Sequence, residues 1–111
     1  MTTIARGSAV DVMARAMTEA QLQEACTGML DAYKIRWWHD SDSRRNKAGL
    51  PDLVIIGRRV EWWELKRQTG RVTPEQNACL SDLIRAGAKA RVVRPLDLLT
   101  GDVQLWVRSL R

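Results

Sequence analysis

The sequence predicts an α/β fold in which helices flank a mixed central sheet. Three observations favour this class: two segments begin with helix-capping motifs, two apolar runs are joined by a short glycine-containing turn, and another apolar run follows the second helix. The short turn indicates antiparallel pairing, whereas a strand that follows a helix permits a parallel crossover. The 111 residues suit one domain, and 45% hydrophobic with 28% charged residues is typical of globular proteins.

The N-terminal part of the chain divides at a helix-capping motif. Residues 1–17 are mildly apolar and are predicted to form an N-terminal arm or a short helix, whereas residues 18–111 are predicted to form the main domain. Thr18-Glu19-Ala20-Gln21 has the form of a capping box and predicts a helix from about residue 19 to residue 33. Glu19 lies within the inward apolar stripe of that helix. It is therefore either aimed at the fold or a favourable charge at the helix N-terminus.

Residues 34–39 form a strand candidate that contains Trp37 and Trp38. The favoured interpretation places one indole in the core and the other over the sheet edge, and base stacking is the less favoured alternative. A polar loop follows, with three cations and no apolar anchor. Its cations are Arg44, Arg45 and Lys47. A solvated loop is the simplest interpretation, but a position just before the next strand favours contact with phosphates.

The centre of the sequence is a predicted hairpin in which each apolar strand carries a carboxylate. A turn centred on Arg58 places Asp52 opposite Glu64. Directly opposed residues have Cβ atoms about 4.5–5.5 Å apart, so two carboxylates repel there unless a divalent cation lies between them. With the backbone carbonyl of Leu65 and the nearby Lys66 ammonium, they make an oxygen-ligand site suited to Mg²⁺ or Mn²⁺. A register slip of one residue would remove this arrangement.

A basic turn and a second helix follow the hairpin. The turn contains Arg67 and Arg71, and the segment Thr73-Pro74-Glu75-Gln76 then combines an N-cap threonine, a proline at the first helical position and a glutamine two residues later. The helix is predicted to end near Gly87. Gln76 lies at the inward edge of this helix, where it is either a capping residue or a polar group close to the carboxylates.

The last third of the chain completes the predicted sheet. Residues 89–94 form a strand candidate that ends before a proline, and residues 103–110 alternate enough to predict a terminal strand, with a short helix as the alternative. The predicted order is therefore helix, three strands, helix, strand and a short tail.

Composition and charge narrow the classes of function. The net charge is +5, and the basic segments lie on both sides of the hairpin, as expected for a polyanionic substrate around a cation, although a generic basic surface has the same charge. No apolar run approaches the length of a membrane span, and the first residues lack the apolar core of a signal peptide, so an intracellular location is expected. Cys26 and Cys79 are predicted to be reduced residues of the core. With His39 as the sole histidine, a structural zinc site is not expected.

The residues around the hairpin carry a family resemblance. Pro51-Asp52 and Glu64-Leu65-Lys66, separated by eleven residues, match the PD-(D/E)XK nuclease signature, and the order of elements is the common core of that superfamily. Within it, the chain resembles the VRR-NUC family, particularly its small stand-alone members from phages and bacteria. The other segments that carry the resemblance are Thr18-Glu19, Ser43-Arg44-Arg45, Gly49–Val54, Gly70–Gln76, Ala86-Gly87 and residues 92–95.

The resemblance implies a restriction-endonuclease-like αβββαβ core and makes residues 18–111 a VRR-NUC-like nuclease domain. Asp52 and Glu64 correspond to the metal ligands of the family, and Glu19 to its acidic metal residue in the first helix. Lys66 corresponds to the catalytic lysine and Gln76 to the helix glutamine near the active site. The implied activity is Mg²⁺- or Mn²⁺-dependent hydrolysis of phosphodiester bonds in DNA, with the basic loop and turn contacting the nucleic acid.

The resemblance also indicates a substrate class. Small stand-alone members are similar to Holliday-junction resolvases, which implies a homodimeric, structure-selective endonuclease that acts on branched DNA in the cytoplasm of a bacterium or phage host. Two alternatives stay open: a nuclease of the same fold that acts on flaps, nicks or splayed DNA, and a non-catalytic nucleic-acid-binding module. A basic scaffold protein without nuclease chemistry is the least favoured interpretation.

Overall fold

The computed structural model describes residues 4–40 and 48–111. The elements in chain order are α1 (Ala9–Ala16), α2 (Glu19–Ala32), β1 (Arg36–His39), β2 (Leu53–Ile56), β3 (Val60–Leu65), α3 (Pro74–Arg85), β4 (Lys89–Val93), α4 (Pro95–Leu99) and α5 (Asp102–Ser109). From α2 to β4 this order is the predicted αβββαβ core, so the predicted fold class is confirmed.

The four strands form one sheet in the order β1-β2-β3-β4. The pairs β1–β2 and β2–β3 are antiparallel, and β3–β4 is parallel because α3 supplies the crossover between them. In the hairpin, Val54 lies opposite Trp62 and Ile56 opposite Val60, which is the register that the sequence predicts. Continuing that register by one more step brings position 52 opposite position 64.

Both predicted capping boxes are present. Thr18 accepts a hydrogen bond from the backbone of Gln21 and the Gln21 side chain bonds back to Thr18, and Thr73 and Gln76 form the same pair at the start of α3. At the N-terminus, Ser8 caps α1, so the short helix rather than an extended arm is the structure found there. The division of the chain at residue 18 stays a prediction.

The C-terminal segment corrects one prediction. Residues 103–110 do not form the expected terminal strand, because Asp102–Ser109 is the helix α5. Val103, Val107 and Leu110 are all buried. Their spacing of four and three residues places them on one helical face against the core, and this burial outweighs the local alternation that resembles a strand.

The main core lies on one face of the sheet. Buried side chains of β2 and β3, including Leu53, Ile55 and Trp63, pack there with residues of α2 and α5. Along β3, Glu64 alternates with these core residues and contacts Gln76, so α3 lies against the opposite face. Within the two described ranges, no helix has the length and apolar character needed to span a membrane.

Candidate active site

The hairpin and the loop before it position Asp52. Gly49 in this loop has a φ of +104°, and a Cβ atom at that position would overlap the backbone carbonyl of Glu75, so the loop passes directly over the start of α3. Asp52 then follows the buried Pro51. Its Oδ2 accepts a hydrogen bond of 2.7 Å from the backbone N–H of Leu65, which ties the aspartate to the end of β3.

Glu64 is the buried member of the carboxylate pair, with only 2% of its surface exposed. Burial, together with interaction with the Asp52 carboxyl group, raises the pKa of Glu64 to about 8, while the positive charge of Lys66 opposes the shift. The Glu19 charge adds a smaller upward contribution to the same pKa. In the protein without a cation, burial and the neighbouring Asp52 carboxyl group therefore favour proton binding by Glu64.

Two polar side chains converge on the same oxygen of Glu64. The Lys66 ammonium lies 3.7 Å from Oε2, and the Gln76 amide donates to Oε2 across 3.4 Å. The Oε1 of Gln76 simultaneously accepts a hydrogen bond of 2.9 Å from the backbone of Thr73. Gln76 is therefore both a capping residue and a neighbour of Glu64, so the two interpretations of this residue are compatible.

The second oxygen of Glu64 is the feature that fits a metal ion. Oε1 is buried and has no hydrogen-bond partner among the residues the structure describes. An unpaired buried carboxylate oxygen is costly, and a divalent cation between Glu64 and Asp52 would satisfy it. Among residues 4–40 and 48–111, no group of three or more acidic, histidine or cysteine side chains could hold a metal ion. The acidic groups that the described residues bring together here are thus a pair rather than a trio.

Glu19 and Leu65 occupy different positions relative to this pair. Glu19 is exposed at the first position of α2, close enough for its charge to affect Glu64. A water-mediated contact with a metal ion fits that placement. The backbone N–H of Leu65 donates a hydrogen bond to Asp52. The use of the Leu65 carbonyl as a metal ligand stays a prediction.

The predicted phosphate-binding residues divide into two groups. Arg44, Arg45 and Lys47 lie outside the described residues. Arg67 and Arg71 are exposed in the turn that follows Lys66, on the chain segment adjoining the site. Their nucleic-acid-binding role stays a prediction.

Arg94 organises this turn, a role that the sequence alone does not predict. Its Nη1 donates to the backbone carbonyls of Arg67 at 2.7 Å and Gly70 at 2.8 Å, so one guanidinium group holds the turn beside β4. A single arginine at the end of a strand gives no pattern from which such a role follows. The contacts depend on distant segments of the chain, and only the folded arrangement reveals them.

Comparisons with known proteins identify the family of the chain and agree with its fold. The model of the VRR-NUC domain family matches residues 3–95. One solved structure, described as "VRR_NUC domain", is 20% identical with a TM-score of 0.68, and the alignment covers 86% of this chain and 100% of that one. Another, described as "VRR_NUC domain protein", is 22% identical with a TM-score of 0.60, covering 83% and 89%. At such identities these structures support the fold alone, and a search of curated proteins found no match.

Proposed function

Because this chain belongs to the VRR-NUC domain family, which is of the PD-(D/E)XK nuclease type, we propose that it is a metal-dependent endonuclease that hydrolyses phosphodiester bonds in DNA. The observation that carries the proposal is the buried Oε1 of Glu64, which lies beside the Asp52 carboxyl group and has no hydrogen-bond partner in the described part of the chain. Two carboxyl groups held together in an apolar hairpin are costly unless a cation lies between them, which favours a role in metal binding.

Asp52 and Glu64 would hold the cation, with the Leu65 carbonyl as a further oxygen ligand and Glu19 acting through a water molecule. Mg²⁺ and Mn²⁺ are the ions best suited to such oxygen ligands. When bound, the cation lowers the pKa of the attacking water and neutralises charge on the scissile phosphate. Cation binding would compete with proton binding at Glu64, because a carboxylate ligates in the ionised form.

The other residues of the site have roles that follow from their positions. The Lys66 ammonium orients the attacking water or stabilises the negative charge that develops on the phosphate. Gln76 holds Oε2 of Glu64 with its amide, which leaves Oε1 free to ligate. Arg67 and Arg71, together with the cations of the loop before the hairpin, bind the phosphates on either side of the cut. No covalent intermediate is needed for this chemistry.

We propose branched DNA as the substrate and a homodimer as the active form, in the cytoplasm of a bacterium or phage host. A chain of 111 residues has little surface with which to read a junction. A symmetric dimer would bring two hairpin sites to two strands.

The proposal is tested with a panel of labelled DNA substrates and a measurement of solution mass. Four-way junctions, flaps, nicked duplexes, splayed duplexes and plain duplexes are incubated with Mg²⁺, with Mn²⁺ or with EDTA. We expect cleavage that requires the cation and favours the junction, and a mass of two chains. Cleavage of flaps, nicks or splayed arms alone would assign the same chemistry to a different DNA structure, and no cleavage of any substrate would exclude the nuclease.

A further inference from the structure

The described residues cover one face of the sheet incompletely. Trp38 pairs with Val54 and Val54 with Trp62, so these three side chains form a row across β1, β2 and β3. They share the face of Glu64, opposite the main core, because side chains alternate along each strand. Trp38 is 50% exposed at the outer strand, and Trp62 is half-buried nearer to α3.

A cleft of about 220 Å³ opens along this row and extends to the active site. The lining includes Trp38, Trp62, His39 and Pro51, together with the acidic residues Asp40 and Asp52. The volume lies below the roughly 300–1,000 Å³ of pockets that enclose whole drug-sized ligands. It therefore suits a single flat ring system rather than a complete nucleotide or a peptide segment.

We propose that this cleft binds one unpaired nucleobase of the strand that is cut, stacked on Trp38 and Trp62. The inference rests on the proposed nuclease function and adds a substrate feature to it. Asp52 belongs both to the cleft and to the candidate active site. Any occupant of the cleft must therefore fit beside a phosphate bound at Asp52. Trp62 precedes Glu64 by two residues, or about 6.6 Å along the strand, which a nucleotide next to the scissile phosphate can span from phosphate to base.

The chemistry of the walls favours a base over other occupants. Indole rings bind every nucleobase by stacking, without a requirement for a particular hydrogen-bond pattern. The guanidinium of Arg36 lies 5.9 Å from the centre of the Trp38 ring, which adds a positive charge at the outer side of the cleft for the DNA backbone. A second copy of this chain seated on the cleft would cover Asp52 and block the substrate. A base within an intact duplex is already stacked, so the occupant must be unpaired.

The test compares Trp38→Ala and Trp38→Phe with the unmodified protein. Binding is measured by fluorescence anisotropy in EDTA, so that no strand is cut, with a splayed duplex and a fully paired duplex of equal length. We expect Trp38→Ala to weaken binding of the splayed DNA about fivefold or more and to leave the paired duplex unchanged. Trp38→Phe should restore most of the loss. Ile56→Ala is the matched control, because Ile56 is similarly exposed and does not line the cleft.

A 2-aminopurine probe gives a second readout that does not depend on affinity. The probe is placed at successive unpaired positions of the splayed arm, and stacking on the indoles should quench its fluorescence at one of them. The Trp38→Ala variant, added at a concentration that saturates the DNA, should not produce that quenching. Thermal unfolding of each variant checks that the fold is retained, and the Trp38→Phe and probe measurements keep the test decisive if the alanine variant is unstable.

The outcomes separate this inference from the proposed function. If the unmodified protein cuts DNA but Trp38→Ala binds splayed DNA as tightly as before and quenches the probe equally, the base site is wrong and the nuclease stands. If Trp38→Ala and Ile56→Ala both convert a dimer to a monomer, the face is an interface between copies and the inference is overturned. If no substrate is cut yet the probe is quenched only with Trp38 present, the base site stands and the nuclease fails.

Discussion

The side-chain amide of Gln76 donates to Oε2 of Glu64 across 3.4 Å while the Oε1 atom of Gln76 accepts from the backbone of Thr73. A single side chain thus caps the first turn of α3 and contacts the buried carboxylate on β3. The amide oxygen makes the capping contact and the amide nitrogen makes the contact with Glu64. Substitutions can therefore separate the structural contribution of Gln76 from its contribution to the site.

The Gln76→Glu substitution should separate these contributions. A glutamate at this position still supplies an oxygen to the backbone of Thr73, but it replaces the amide donor with a negative charge beside Glu64. We expect the helix cap and the melting temperature to be largely retained, with DNA cleavage reduced about 10–100-fold. Gln21→Glu is the matched control, because Gln21 makes the same capping contact in α2 and should leave cleavage unchanged. Equal effects of the two variants would refute a role for Gln76 in the site.

The Asp52→Asn substitution should abolish cleavage without unfolding the protein. The variant retains a side-chain oxygen that can accept from the backbone N–H of Leu65, so the hairpin contact survives. It loses the charge that would hold the cation. Loss of an outer-shell partner of a metal ligand lowers activity roughly 10–100-fold, and loss of the ligand itself should lower the cleavage rate by at least that factor. Single-turnover cleavage with Mg²⁺ measures the loss of activity. DNA binding without metal checks that the folded protein is retained. A variant that still cuts at the normal rate would exclude Asp52 as a ligand.

The hairpin illustrates what the sequence can predict about a site. The length of the turn and the two carboxylates in apolar strands predict the register, and the register brings Asp52 and Glu64 together. Capping boxes predict where α2 and α3 begin, because the capping residues are adjacent in sequence. These features are local or follow from one turn, and the sequence is sufficient for them.

Other features depend on contacts that a linear pattern does not encode. Val103 and Val107 fit both a strand and a helix, and only the position of the core decides between them. Glu61 of β3 is buried and forms an ion pair with Arg91 of β4, and no local pattern predicts this contact between distant segments. The aromatic cleft likewise joins Trp38 and Trp62 from strands separated by a third one.

Glu64 should make the metal-free protein less stable as the pH rises. The pKa of Glu64 is about 8 in the folded protein against an ordinary value of 4.5, so between these values the folded state binds more protons than the unfolded chain. Stability therefore falls as pH increases from about 4.5 to about 8. In EDTA, Glu64→Gln should raise the melting temperature at pH 8 more than at pH 5. Glu24→Gln, an exposed change in α2, is the control, and a gain independent of pH would contradict the prediction.

The two cysteines should differ in reactivity. Burial raises the pKa of the Cys26 thiol to about 12, and its side chain is fully buried. Cys79 is partly exposed, so a reagent can reach it even though burial also raises its pKa. A thiol-specific chromogenic reagent at pH 8 should label one thiol per native chain and two after denaturation. Peptide mapping should assign the native label to Cys79, and rapid labelling of Cys26 in the native protein would contradict its burial.

Removal of the Glu61 side chain should be among the most destabilising single substitutions. Glu61 is fully buried, and its carboxylate accepts hydrogen bonds from Trp63 Nε1 at 3.0 Å and Arg59 Nε at 2.8 Å and forms an ion pair with Arg91 at 3.2 Å. Glu61→Ala leaves the two guanidinium groups and the indole N–H without their shared acceptor. Breaking such a buried ion pair costs about 3–5 kcal/mol.

Equilibrium unfolding in urea measures this cost for Glu61→Ala, with Glu24→Ala as an exposed control expected to change the free energy of unfolding by less than about 0.5 kcal/mol. Glu61→Gln should be less severe than Glu61→Ala, because one oxygen remains to accept from Trp63 or Arg59. The network lies on the core face of the sheet, opposite Glu64, so both variants should keep metal-dependent cleavage at temperatures where they remain folded. Equal stabilities of Glu61→Ala and the unmodified protein would show that Arg59 and Arg91 reach solvent at little cost when their acceptor is removed.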